Sequence, residues 1–213
     1  MIDNVMRYAY RPSGGLSMDD HRRFDPENAH RLNNPARLKS QVSEEDLLRL
    51  LDLRGTEDLA DLGSGTGFYT DLVAKHTTGV IYALELSPRM NDAYRQRGVP
   101  ANVHLLEGDI RDMPLPANSI DTAYSIVTLH ETAGDVGMSR LLKALRDPGR
   151  VVMIDWRTEP ASWQNGPPPH LRLSNTQAAQ IFRPFFETVT VDNLGGFMFA
   201  LVADGKRRAA ADS

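Results

Sequence analysis

The chain has no cysteine among its 213 residues. That removes disulfides, thiolate nucleophiles and thiolate metal sites at once. It also lacks any apolar run near the roughly 18–20 residues that a membrane span needs. Its first residues, Met1-Ile-Asp-Asn-Val-Met-Arg7, carry an acid where a secretory signal wants positive charge, and no apolar segment follows. No membrane partner is expected, and the cytoplasm is the expected location. An excess of positive charge is missing too. The formal net charge is −4, whereas a general nucleic-acid binder shows a basic footprint. What is present is ordinary for a globular protein: 41% hydrophobic and 24% charged residues. The length suits one α/β domain with a short appendage, and such a chain buries a core without staples.

Residues 1–40 read as irregular, and 1–42 as an N-terminal arm before a domain spanning 43–205. Ser43 caps a helix whose first turn holds Glu44, Glu45 and Asp46. Leu47, Leu48, Leu50 and Leu51 give it one apolar face, and Gly55 is its expected end. Strands are then expected at 58–62, 79–85, 102–107, 120–129 and 150–155. Helices are expected at 68–76, from Ser87-Pro88 to Gly98, and at 135–145. Strands alternating with helices imply a mostly parallel sheet. The C-terminal part departs from this rhythm. Ser174-Asn-Thr-Gln177 is a capping box, and the helix it opens stops at Pro184. Two strands, 186–192 and 197–203, then flank Leu194-Gly-Gly196, which reads as an antiparallel hairpin. Residues 206–213 read as a frayed tail.

The chemistry concentrates in Asp61-Leu-Gly-Ser-Gly-Thr-Gly67, between the first strand and its helix. Glycines at 63, 65 and 67 allow a tight turn and a close ligand approach to backbone. Alone, such a loop might only close a βα turn. Glu85 closes the second strand, and Asp109 follows the third. In doubly wound folds an acid roughly ~20 residues past the loop binds ribose hydroxyls, and an acid after the third strand can accept from an adenine amino group. Features at the ends of three successive strands face one crevice. A dinucleotide fingerprint would space its glycines G-x-G-x-x-G to seat a pyrophosphate. Here the spacing is G-x-G-x-G behind an acid, which repels a pyrophosphate and attracts an ammonium or sulfonium.

These segments, with Pro114-Leu-Pro-Ala-Asn-Ser-Ile-Asp121, resemble the motifs of class I S-adenosylmethionine-dependent methyltransferases. The nearest likeness is to the small-molecule branch that includes quinone-biosynthesis enzymes. The resemblance spans roughly residues 45–203. It implies a Rossmann-like, doubly wound seven-stranded sheet, order 3-2-1-4-5-7-6, with strand 7 antiparallel. It also implies S-adenosylmethionine as cofactor. Asp61, Gly63, Ser64, Gly65 and Gly67 fall to the methionine end, Glu85 with Leu86 to the ribose side, and Asp109 with Ile110 to adenine. Ser125 matches a position that contacts the methionine part.

Methyl transfer from a sulfonium is an in-line displacement, and a base is needed only if the acceptor must lose a proton. His130, after the fourth strand, is the candidate base. The competing reading is a histidine that caps the strand end or bonds within the core. Amino-directed DNA methyltransferases carry an Asn/Asp-Pro-Pro-aromatic motif here. This chain has Ser125-Ile-Val-Thr-Leu-His130 instead, which counts against DNA. Two variable segments are expected to select the acceptor. One is the arm around 21–35, with His21, Arg22, Arg23, His30 and Arg31, which also resembles arms of uncharacterised prokaryotic methyltransferases. The other is the loop after the fifth strand, with Trp163, Pro167, Pro168, Pro169 and His170. Trp156 reads as core. The histidines lack the spacing of a helical zinc pair, so no metal is expected. The expected partner is a small-molecule methyl acceptor. The alternatives are a non-catalytic cofactor-binding module and an RNA methyltransferase using its arginines. The oligomeric state is not legible.

Overall fold

Apolar residues that fill a segment without alternation have both faces covered. That is the pattern of the two central strands, β1 (Leu59–Leu62) and β4 (Ile120–Ile126). The computed structural model describes residues 29–159 and 166–207. Around these two strands lie β2 (Ile81–Glu85), β3 (Val103–Glu107), β5 (Leu145–Trp156), β6 (Phe186–Leu194) and β7 (Met198–Lys206). The seven form one sheet in the order β3-β2-β1-β4-β5-β7-β6. The first five pair in parallel, and β7 runs antiparallel to both β5 and β6. The fold is therefore the doubly wound α/β architecture that the motif resemblance implies.

Helices cover both faces. On one lie α3 (Glu44–Leu51), α4 (Phe68–Val73) and α5 (Pro88–Arg97), which bury Leu47, Leu51, Val73 and Tyr94 with Trp156. On the other lie α6 (Met138–Ala144) and α7 (Asn175–Phe182), which bury Leu141, Ala144, Ala178 and Phe182. Trp156 is core, as its sequence context indicates. Local caps act where the sequence places them. Ser43 and Ser87 accept the amides of Asp46 and Met90, and Ser174 with Gln177 makes the reciprocal capping box.

Several boundaries differ from expectation, each for a local reason. The arm is not wholly irregular: α1 (Ala29–Leu32) and α2 (Arg37–Ser40) are short helical turns. Helix α3 ends at Asp52, which takes the left-handed conformation (φ 52°) three residues before Gly55. Aspartate tolerates that conformation better than most residues. Strand β4 stops at Ile126 because Val127 turns left-handed (φ 64°). Strand β5 begins at Leu145, which pairs with Ile120 before the register shifts. Helix α6 starts late, after Asp135 accepts the amide of Gly137. The tail also begins late. Lys206 is in β7, and the amide of Arg207 donates to the carbonyl of Phe185. Residues 208–213, expected to fray, lie outside the described residues.

At the N-terminal end of the sheet, opposite the crevice, Arg146 bridges Asp58 at 2.8 Å and Asp121 at 2.9 Å. The amide of Asp58 also donates to Asp121. Loops at the other end are left to form a site. No helix of the described residues is long and apolar enough to cross a membrane.

Phe182 and Phe186 close the α7 side of the core, with ring centroids 6.2 Å apart. Phe182→Ala is expected to cost about 3–5 kcal/mol, since both transfer energy and a cavity are at stake. Ser174→Ala, a loss of one cap, is expected to cost about 1 kcal/mol. Urea unfolding checks the ranking, and equal losses would contradict it.

Candidate functional site

The strand order reverses between β1 and β4, and the crevice at such a switch point lies beyond the carboxyl ends of the strands. The glycine loop occupies this position. Gly63, Gly65 and Gly67 all have positive φ (84°, 58° and 80°). The need for glycine at 63 and 67 is steric as well. A Cβ on Gly63 would lie 2.4 Å from Thr128 Oγ1, and one on Gly67 would lie 2.1 Å from Tyr94 Cζ. Tyr94 is fully buried, and its hydroxyl donates to Asp71 at 2.6 Å. Arg97 reaches the other oxygen of Asp71. Helix α5 thus clamps α4 and presses an aromatic face on the loop.

Asp61 sits at the root of the loop and is almost fully buried. Its Oδ2 accepts the Thr70 hydroxyl at 2.7 Å. Burial pushes its carboxyl up to about 7. The hydroxyls of Thr70 and Tyr124 hold it down, Glu85 adds like-charge repulsion, and Arg37 opposes that. Ser64, also buried, has a hydroxyl with no protein partner. Glu85, at the end of β2, leans on the loop: its carboxylate accepts the amides of Gly65 and Ser87, each at 2.8 Å. Burial raises its carboxyl as well, against those amides. Leu86 beside it is the one exposed large hydrophobic side chain among the described residues.

After β3, Asp109 caps a 3-10 turn, Ile110–Asp112. Its carboxylate is held by Arg111, through the backbone amide at 2.9 Å and the guanidinium at 2.6 Å. Ile110 is buried beneath. Ser125 is buried within β4, and its hydroxyl donates to the carbonyl of Leu62 at 2.7 Å. Its hydroxyl ties two strands together.

The left-handed turn at Val127 is a β-branched outlier, a conformation that costs on the order of 1–3 kcal/mol. It aims the chain so that Thr128 meets Gly63 and His130 meets β5. His130 Nδ1 lies 2.9 and 3.0 Å from the two oxygens of Asp155. The same carboxylate accepts the amides of His130 and Trp156. Burial alone would lower the imidazole's pKa, but the Asp155 charge and hydrogen bond prevail and raise it. His130 lies in a turn after β4, as its place in the sequence indicates. Nothing in the sequence singles out Asp155, Thr128 or Tyr94. Their only signal is position, at a strand end or one helix onward, and nothing local marks their partners.

The glycine loop, Glu85, Asp109 and His130 come to one end of the sheet, and so do Leu32 and Asn33 of the arm. Leu32 lies over Gly65, and Asn33 accepts the Thr66 hydroxyl at 2.7 Å. Arg31 is half-buried. His30 falls in α1, with its side chain outside the description. His170 is exposed on the 3-10 turn Pro169–Leu171. Trp163 and His21 with Arg22 and Arg23 lie outside the described residues. Among the described residues no group of three or more His, Asp or Glu is placed to hold a metal.

Residues 60–164 match the family described as Methyltransferase domain. Malonyl-[acyl-carrier protein] O-methyltransferase of Serratia marcescens is 33% identical over 120 residues, 56% of this chain and 45% of that protein. The ubiquinone/menaquinone biosynthesis C-methyltransferase UbiE of Pseudomonas putida is 25% identical over 119 residues, 51% of this chain and 45% of that one. The chain thus spans about half the length of these relatives. An S-adenosylmethionine-dependent methyltransferase from Aquifex aeolicus superposes with a TM-score of 0.75 at 25% identity, covering 85% of this chain and 99% of that one. The chain belongs to the S-adenosylmethionine-dependent methyltransferase family.

The buried acid has a measurable consequence in the free protein. Because the folded-state pKa of Asp61 is raised to about 7 from 3.8, the folded chain holds more protons than the unfolded one between these values. Stability contributed by this group therefore falls as pH rises through that window. Asp61→Asn removes the effect. Its melting temperature without ligand should gain on the wild type between pH 5 and pH 8, by about 2–4 °C per kcal/mol. A gap independent of pH would contradict the assignment.

Proposed function

We propose that this chain transfers the methyl group of S-adenosylmethionine to a small-molecule acceptor that gives up a proton. The observation that carries the reading is the backbone cradle at Gly63–Gly67, rooted on a buried carboxyl. A Cβ at either end would collide with Thr128 or Tyr94, so both positions stay bare backbone, and Asp61 gives the loop negative charge suited to a cation. These residues fit an amino-acid sulfonium and disfavour a pyrophosphate. When bound, S-adenosylmethionine supplies an electrophilic methyl carbon on a good leaving group.

The chain's own residues bind and align. Asp61 faces the ammonium. The Ser64 hydroxyl lines the methionine end, while the amides of Gly63, Ser64, Gly65 and Gly67 stay bonded within the protein and hold the loop's shape. Each Glu85 oxygen accepts one backbone amide, and a carboxylate oxygen has a second lone pair to offer a ribose hydroxyl. Leu86 offers the adenine an apolar face. Asp109 accepts its amino group above Ile110. Ser125, committed to Leu62, is given no part.

His130 is the base. With Asp155 holding Nδ1, the proton stays on that nitrogen and Nε2 is the basic one. A raised imidazole pKa makes it a better proton acceptor and sets the pH above which it is neutral. Arg31 and the turn carrying His170 flank the acceptor side.

The test is formation of S-adenosylhomocysteine when the full chain meets S-adenosylmethionine and the low-molecular-weight fraction of a cell extract. Turnover is expected, and His130→Ala should reduce it about a hundredfold. Asp155→Asn should reduce it too and move the pH midpoint of the rate downward. Undiminished turnover in His130→Ala eliminates the base. Binding of S-adenosylhomocysteine with no turnover in any fraction instead describes a cofactor-binding module.

A further inference from the structure

Three buried ionisable side chains gather where β4 and β5 end. His130, Asp155 and Arg172 are each no more than 5% exposed. The first two are bonded to each other, Nδ1 to carboxylate. Arg172 follows the 3-10 turn Pro169–Leu171 in extended backbone. Its Nε donates to the carbonyl of Pro167 at 2.9 Å, and Nη1 donates to the carbonyl of Arg157 at 2.8 Å. Arg157 is the first residue past β5, and Pro167 lies where the chain returns. One guanidinium thus joins the two stems of the loop after β5. It also stands 5.5 Å from the ring centroid of Trp156. Gly166 lies against the same indole, since a Cβ there would be 2.4 Å from Trp156 Cδ2. The Trp156 amide in turn donates to Asp155. The clasp is therefore built on the residue next to the carboxylate that holds His130.

Holding two carbonyls is a structural role, but the group that does it brings a charge. A guanidinium stays protonated at every working pH, and burial weakens the screening of its charge by water. The charges that bear on the His130 imidazole are Asp155 from β5, Glu131 from its own turn and Arg172 from the clasp. Both carboxylates favour the imidazolium, which has no lone pair for an incoming proton. Arg172 acts in the opposite sense. A base works best when its two protonation states are balanced near the operating pH, so the carboxylates that orient this histidine also need a counterweight.

We propose that Arg172 is a positioning residue for the base: clasped between the Arg157 and Pro167 carbonyls, it sets a fixed positive charge beside His130 and Asp155 that keeps the imidazole neutral for the acceptor's proton. The inference rests on the reading of His130 as the base. One side chain then fixes both the stems of the acceptor-side loop and the protonation of the group that serves it.

The imidazole itself reports the outcome, with no cofactor or acceptor present. The His130 Cε1–H resonance of the isotope-labelled full chain, assigned by its loss in His130→Ala, is titrated with pH in wild type, Arg172→Gln and Arg172→Lys. Arg172→Gln keeps a donor for the carbonyls and removes the charge. Its His130 midpoint should rise by about half a pH unit or more. Arg172→Lys keeps the charge and should stay within about 0.2 pH units of wild type. The pH midpoint of turnover should rise with that of the imidazole in Arg172→Gln, opposite to the direction expected for Asp155→Asn. An unmoved or lowered imidazole midpoint in Arg172→Gln overturns the proposal. So does an equal rise in Arg172→Lys, which would trace the effect to lost packing. Arg172→Met takes the place of Arg172→Gln if the latter does not fold, and loss of the folded state in both would leave the clasp as the residue's whole role and overturn the proposal as well. Undiminished turnover in His130→Ala overturns the base reading instead, whatever the titration shows.

Discussion

Keeping the Asp61 carboxyl out of water is the constraint around which the site end of this fold is arranged. A buried acid without partners is expensive, so it is either neutralised or given hydrogen bonds. Here Thr70 from α4 supplies a hydrogen bond, and the hydroxyl of Tyr124 from β4 lies beside the acid. The loop that leaves Asp61 must turn at once to bring Thr70 back, which forces positive φ at three glycines. Tyr94 then packs where a side chain on Gly67 would have gone, and Asp71 with Arg97 anchors Tyr94 in turn. Removing the acid would make the loop easier to fold and leave it without a reason for its shape. Strain and unpaired polar groups concentrate at this end of the sheet, at Val127 and Ser64. That is where function is commonly supported at the expense of stability.

The opposite end of the sheet shows the complementary arrangement. Arg146 joins Asp58 to Asp121, the amide of Asp58 reinforces the pair, and Arg150 bonds both the Leu50 carbonyl and Asp204. These contacts are partly exposed, so each contributes little alone. Their effect is to fix where β1, β4 and β5 begin and where the antiparallel β7 ends, so that the parallel strands end in register around the crevice. Asp61, Glu85, Asp109 and His130 are far apart in sequence, and strand registry brings them to one level.

Much of this is legible in the sequence. Strand alternation, the capping box at Ser174 and the glycine hairpin each carry a local signal, and the sheet order came with the motif resemblance. The glycine spacing and the acids at 85 and 109 located the crevice for the same reason, since backbone needs and strand ends leave marks in sequence. What stayed hidden depends on long-range packing. Val127 ends β4 early although its residue type favours a strand. Asp155 looks like any strand-terminal acid until His130 arrives from another turn. Asp109 reads as an open acceptor, yet Arg111 two residues on holds its carboxylate. Arg37 lies in a stretch read as irregular, and only the docked position of α2 shows a buried guanidinium beside the loop.

The site turns on a buried carboxyl that meets a cation, and proton linkage reports on that contact directly. Calorimetric titration of the full chain with S-adenosylhomocysteine is made between pH 6 and 8 in two buffers of different ionisation enthalpy. Asp61 holds a proton in part below about 7 in the free protein, and an ammonium placed against it drives that proton off. Binding of one ligand per chain is predicted, with proton release near pH 6.5 that fades by pH 8 and vanishes in Asp61→Asn. Affinity should rise as pH climbs through 7. Binding with no proton released at any pH, or unchanged release in Asp61→Asn, would contradict the role given to Asp61 and with it the reading of the loop.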